Sequence, residues 1–222
     1  MVFEVTIAIM LANLVLVAVY FFSTIKIASI VKNKYITADF IGMGLSYLLM
    51  MSFVTLWILS FNDTYFFIAA VSSILWAMYY SYGTLRTIHP NEKRPANWAL
   101  LTYLSVPIIW FVTREITLIT LQIMLLSSLA FFVSSLLLYQ LCKNAVKKYA
   151  LVGMFVGVIS ASHLPNLLAP IPLLDNITNV FTIFLPINAL LAYMFFGFLQ
   201  IAKNHPSQFI IYVHTRNKIA KR

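Results

Sequence analysis

Charge is what this sequence has least of. Its 222 residues include six acids and fifteen lysines and arginines, and charged side chains make up 9% of the chain. Soluble domains carry roughly 25%. So few charges do not coat a water-exposed surface, and with 62% hydrophobic residues lipid is the expected solvent. The net charge of +9 does not point to nucleic acid, because the basic residues sit in short loops between apolar runs, where they act as topology signals. Cysteine occurs once, as Cys142, which excludes an internal disulfide and a Cys-based zinc site. At the inner end of a predicted helix it serves packing or reversible palmitoylation. The six glycines form no phosphate-cradling loop. Of the four histidines only His163 falls inside a predicted span, and one imidazole makes neither a three-ligand zinc site nor a paired haem site. No Asp, Glu, Lys or Arg lies near the middle of any predicted span, which argues against coupling to protons or sodium through an intramembrane carboxylate.

What is present is a series of long apolar segments. A spanning helix needs about 20 mostly apolar residues. Seven segments qualify: 5–25, 40–61, 65–85, 96–113, 116–141, 149–171 and 180–202. The start, Met-Val-Phe-Glu, has no positive charge ahead of its apolar run, so the first segment is read as a retained helix rather than a cleaved signal. With seven crossings, Lys26, Lys32, Lys34, Arg86, Lys93, Arg94, Lys143, Lys147, Lys148, Lys203 and the basic residues beyond it fall on one side, and Arg114 falls on the other. Positive loops stay cytoplasmic. The expected fold is therefore an all-α integral membrane protein of the cell membrane, multi-pass, with seven helices, the N-terminus outside and the C-terminus inside. Residues 1–203 form its membrane domain. Residues 204–222 form a basic tail that either lies along anionic headgroups or extends from them.

The third and seventh segments look alike without gaps. Leu-Trp-Ala-Met-Tyr-Tyr-Ser-Tyr from Leu75 lies over Leu-Ala-Tyr-Met-Phe-Phe-Gly-Phe from Leu191, and in that register His89-Pro90 meets His205-Pro206. Val31-Lys32-Asn33-Lys34-Tyr35 resembles Val146-Lys147-Lys148-Tyr149, and Ile41-Gly42-Met43 echoes Val152-Gly153-Met154 in a slightly different register. These matches suggest a repeat of residues 1–90 as 116–206, with the fourth segment as a linker. Parallel repeats are a known membrane architecture.

This three-plus-one-plus-three outline resembles the layout of facilitative sugar uniporters and of microbial rhodopsins, in arrangement rather than in motifs. Uniporters of that type carry prolines in both triplets, whereas segments one, two, three and five here have none. Rhodopsins hold retinal on a lysine in mid-helix seven. Asn188, Ala189 and Ala192 occupy that level here, and Lys203 lies at the inner end, so neither covalent retinal nor another cofactor is expected. G-protein-coupled receptors share the topology, but no Asp-Arg-Tyr follows segment three and no Asn-Pro-x-x-Tyr occurs in segment seven.

Segment six holds the densest polar cluster. Ser160 and Asn166 flank His163 one turn away on either side, and Pro165 frees a carbonyl in the preceding turn. Together they suit a small polar pocket, or a helix–helix hydrogen bond. Trp76, well inside segment three, needs a partner for its indole N–H. Asn188 sits beside the kink expected at Pro186, and Thr182 lies one turn outward. These six residues, His163, Asn166, Ser160, Asn188, Trp76 and Thr182, are the candidate ligand contacts. Gly153, Gly157 and Ala161 form a small-residue stripe that permits close helix packing, within the molecule rather than between molecules.

Three functions fit. The first is a receptor or sensor that binds a small molecule in the outer half of the bundle and signals to a separate cytoplasmic partner. The second is a facilitative carrier, favoured by the repeat. The third is an intramembrane enzyme, for which His163 would need a serine within reach.

Overall fold

In a computed structural model of the protein, the described residues are 2–31, 34–60, 63–88, 116–141, 144–162 and 177–204. They form six helices and no strands: α1 (Val2–Ile30), α2 (Lys34–Ser60), α3 (Asp63–Ile88), α4 (Ile116–Leu141), α5 (Asn144–Ser162) and α6 (Ile177–Asn204). The fourth predicted segment, 96–113, and the basic tail lie outside the described residues. Four stretches, Ile7–Ile30, Ile36–Trp57, Ala145–Ser162 and Thr182–Asn204, are long and apolar enough to cross a membrane, and α4 contributes a shorter apolar stretch, Leu125–Leu141. The chain is thus all-helical in its described part and compatible with a membrane protein.

The circumference supports that reading. Leu14, Phe22, Leu45, Leu49, Val71, Leu75, Leu129, Val133, Phe155, Val158 and Phe196 are all exposed. Every described helix therefore shows large apolar side chains outward, a surface that water would penalise at roughly 25 cal/mol per Å² and lipid would not.

The helices pack in chain order as a closed ring, with α6 returning to α1. Their directions follow from which residues meet. Thr37 of α2 meets Ala28 of α1 while Tyr47 meets Tyr20, and Gly83 of α3 meets Asp39 while Trp76 meets Tyr47, so α1, α2 and α3 alternate. Trp76 stacks on Phe131, and one turn further along both helices Tyr80 meets Ser135. Hence α3 and α4 run parallel. Likewise Asn13 meets Asn188 and Tyr20 meets Phe195, so α1 and α6 run parallel. Two up-down-up triplets, α1–α3 and α4–α6, are joined along two parallel seams.

Local chemistry fixes the joints. Thr37 Oγ1, on the first turn of α2, donates to the carbonyls of Ala28 and Val31 at 3.2 and 2.9 Å. Those carbonyls belong to the end of α1, where helical partners run out. α1, α2, α3 and α6 are also longer than hydropathy implied, while α4 keeps its predicted bounds. α2 starts at Lys34, six residues before the predicted 40, and this carries Asp39 into its second turn.

The triplets are held internally by glycines. A Cβ on Gly157 would stand 2.9 Å from the Ser128 carbonyl oxygen and 3.0 Å from the Phe132 nitrogen, so α4 and α5 approach backbone to backbone. Gly153 lies against Ser135, and Gly197 lies against the Tyr149 ring. Ala161 is half-buried at the end of the same stripe.

Candidate functional site

Among the described residues, two cavities lie inside the bundle. We call the end where α1 begins the N-end. The cavity toward it has a volume of about 140 Å³ and is lined from α2 by Tyr47, Met50 and Val54, from α3 by Ala69, Ala70, Ser73 and Trp76, from α4 by Ile123, Ser127, Ser128 and Phe131, from α5 by Val156 and Ser160, and from α6 by Ile183, Phe184 and Ile187. The cavity toward the far end has about 70 Å³ and is lined by Ile36, Asp39, Phe40, Met43, Tyr80, Gly83, Thr84, Leu138, Val146, Phe195 and Phe198. The same five helices, α2 to α6, line both, so the cavities are stacked along the bundle axis. An apolar cavity of about 150 Å³ holds a benzene-sized molecule, which sets the scale of what the N-end cavity accepts.

An aromatic layer separates them. Phe131 is sandwiched between Trp76 and Tyr80, at centroid distances of 4.7 and 4.1 Å and nearly parallel to both. Tyr20 sits edge-on to Phe195 at 4.7 Å. Trp76 and Phe131 face the N-end cavity, while Tyr80 and Phe195 face the far one. The partition is thus about as thick as one stacked pair of rings.

Hydrogen bonds fix the rings. Trp76 Nε1 donates to the Tyr20 hydroxyl at 2.8 Å, which supplies the partner the indole needs. Tyr80 and Ser135 exchange a hydrogen bond at 2.9 Å. Beside the layer, the Tyr47 hydroxyl donates to Asn188 Oδ1, Asn188 Nδ2 donates to Asn13 Oδ1 at 2.5 Å, and Asn13 Nδ2 donates to the Ile9 carbonyl at 2.9 Å. This buried chain links α2, α6 and α1. It satisfies amides that would be costly in an apolar interior.

The candidate contacts are distributed as follows. Ser160 and Trp76 line the N-end cavity. Asn188, 1% exposed, engages both ends of its amide in the chain just described. Thr182 is exposed, while its neighbours Ile183 and Phe184 reach the cavity. His163 and Asn166, with Pro165, lie outside the described residues. Two residues that sequence reasoning did not single out also stand at the cavities. Ser127, 8% exposed, lines the N-end cavity, and its hydroxyl has no hydrogen-bond partner among the described residues. Asp39, 4% exposed, lines the far cavity. Its predicted position, one residue ahead of segment two, had put it in a loop. Among the described residues no group of three metal-ligating side chains comes together.

The chain matches no protein-family model, no curated protein and no solved structure.

Proposed function

We propose that this protein is a facilitative carrier of small, largely apolar molecules, working by alternating access across a seven-helix membrane bundle. One observation carries the reading: two cavities lined by the same five helices lie on either side of a single aromatic layer. A sensor needs a cavity at one end only.

The helix layout supports it. The parallel run of α3 and α4 suits the seven-crossing count, since six alternating crossings would have made that pair antiparallel. With basic residues cytoplasmic, the N-end is outside. The two triplets also match in burial. Val17, Tyr20, Ser23, Thr24 and Ile27 are buried in α1, as are Ser128, Phe131, Ser134, Ser135 and Leu138 in α4. Asp39, Phe40, Met43 and Tyr47 are buried in α2, as are Tyr149, Ala150, Gly153 and Gly157 in α5. In the same scheme the Tyr20–Phe195 pair at one seam corresponds to the Phe131–Tyr80 pair at the other. The ungapped sequence register is one residue off: it pairs buried Tyr80 with exposed Phe196, whereas packing pairs Tyr80 with Phe195. Two equivalent halves rocking about a fixed site are the common basis of alternating access.

The cavity linings suggest the cargo. The N-end cavity offers apolar walls and a few serine hydroxyls, among them Ser127, which has no hydrogen-bond partner among the described residues. Such a lining suits a compact molecule with at most one or two polar groups.

The test needs no substrate. In a Cys142→Ser background, Ser73→Cys reports on the N-end cavity and Thr84→Cys on the far one. In sealed vesicles of known orientation, a membrane-impermeant maleimide should label Ser73→Cys from the outside only and Thr84→Cys from the inside only. Thr84→Cys unreactive from both faces would remove the carrier reading and leave the sensor. The opposite sidedness would overturn the orientation.

A further inference from the structure

Asp39 is the one buried acid among the described residues. Gly83 makes room for it. A Cβ on Gly83 would stand 3.2 Å from Asp39 Cβ and 3.3 Å from Oδ2. The other triplet repeats this packing with a different side chain: Gly197 of α6 faces the ring of Tyr149 of α5. Tyr149 and Asp39 occupy matching places, each buried near the same end of the middle helix of its triplet. Each half thus has a third-helix glycine against a middle-helix side chain, although the packing register that pairs Tyr80 with Phe195 sets Gly83 one residue past Gly197, and a carboxyl stands in only one half. In the other triplet an uncharged side chain, Tyr149, takes the corresponding place on the middle helix. Charge inside a membrane helix is expensive and marks ion and substrate pathways.

The path to Asp39 is aromatic. Trp76 and Phe131 present rings to the N-end cavity, and Tyr80 and Phe195 present rings to the cavity that Asp39 lines. Ring faces attract organic cations within about 6 Å of their centroids, more strongly where water is excluded. Inorganic cations are less suited, since they need several oxygen ligands, and among its described lining side chains the far cavity adds to the carboxyl only the hydroxyls of Thr84 and of Tyr80, the latter already bonded to Ser135.

We propose that Asp39 is the recognition site for an organic monocation, the ammonium group of a small alkyl- or arylalkylamine. The ligand enters through the N-end cavity, passes the aromatic layer when it opens, and its ammonium group comes to rest on Asp39 beside Tyr80 and Phe195. The route rests on the carrier reading. The binding site itself does not.

The probe is benzyltrimethylammonium, whose permanent charge removes ligand titration from the result. Its neutral carbon isostere is neopentylbenzene. Equilibrium binding is measured on the full-length protein in phosphatidylcholine vesicles. Saturable binding of the cation is expected, with no displacement by an equal concentration of neopentylbenzene. Asp39→Asn should weaken binding by about tenfold or more, and Asp39→Glu should keep most of it. Absence of saturable binding, displacement by the neutral isostere, or wild-type affinity in Asp39→Asn overturns the proposal. If Asp39→Asn does not fold, the isostere competition on the wild-type protein decides alone. Failure of the carrier reading looks different: Ser73→Cys would stay unlabelled from the outside while Thr84→Cys was labelled from the inside and cation binding persisted.

Discussion

The hydrogen-bonded chain Tyr47–Asn188–Asn13 joins the last described helix to the first two, and its removal should open the ring. Tyr47→Phe deletes one donor and leaves Asn188 Oδ1 without that bond, while keeping the ring that packs on Tyr20 and Trp76. Asn188→Leu keeps the volume and deletes both links, to Tyr47 and to Asn13. Interhelical hydrogen bonds in membrane proteins contribute about 0.6 kcal/mol on average and about 1.7 at most. A buried group left unsatisfied costs about 1–3 kcal/mol. Tyr47→Phe should therefore destabilise by about 1 kcal/mol and Asn188→Leu by about 2–3. Once Asn188 is gone, the Tyr47 hydroxyl has lost its acceptor, so Tyr47→Phe should then cost close to nothing. The coupling energy of the double-mutant cycle should be about 1 kcal/mol. The assay is reversible unfolding in lipid–detergent micelles by titration with a denaturing detergent, read from tryptophan fluorescence. Additivity within about 0.3 kcal/mol, the behaviour of independent sites, would refute the chain as an energetic unit.

Gly157→Ala should destabilise by about 1–3 kcal/mol, because the new methyl meets Ser128 and Phe132 backbone atoms that no rotamer change can move; an unchanged thermal midpoint would contradict the close approach of α4 and α5. Ser127→Ala should be neutral or stabilising by up to about 1 kcal/mol, because it removes a buried hydroxyl that has no partner among the described residues; a loss of more than that in the same unfolding assay would mean the hydroxyl is bonded in the folded protein.

Asp39 illustrates how sequence reasoning located most of a helix and missed the end that carries its buried acid. Thr37, Ala38 and Asp39 lower the hydropathy at the start of α2, so a hydropathy threshold begins the segment at Phe40. In the folded chain α2 continues back to Lys34, since Thr37 caps α1 and Asp39 finds space against Gly83. Both conditions are supplied by neighbouring helices. Trp76 was legible for the opposite reason. An indole deep in an apolar segment needs an acceptor wherever the helix packs, although nothing in the sequence says that the acceptor is Tyr20. Gly153 and Gly157 were legible as a stripe because i, i+4 spacing puts them on one helix face. Their partners, Ser135, Ser128 and Phe132, were not.

The sequence by itself determined that the chain is helical and apolar enough for lipid, because span length and composition are properties of each segment alone. It also determined which segment ends carry positive charge. What only the tertiary structure decided is which side of each helix faces inward. α1 and α2 are apolar on nearly every face, so no periodicity separates the lipid side from the core side. Their rotation is set by the glycines, the Tyr47–Asn188–Asn13 chain and the stacked rings of the seams. Those contacts join residues far apart in the chain, and they create the two cavities and the aromatic layer between them.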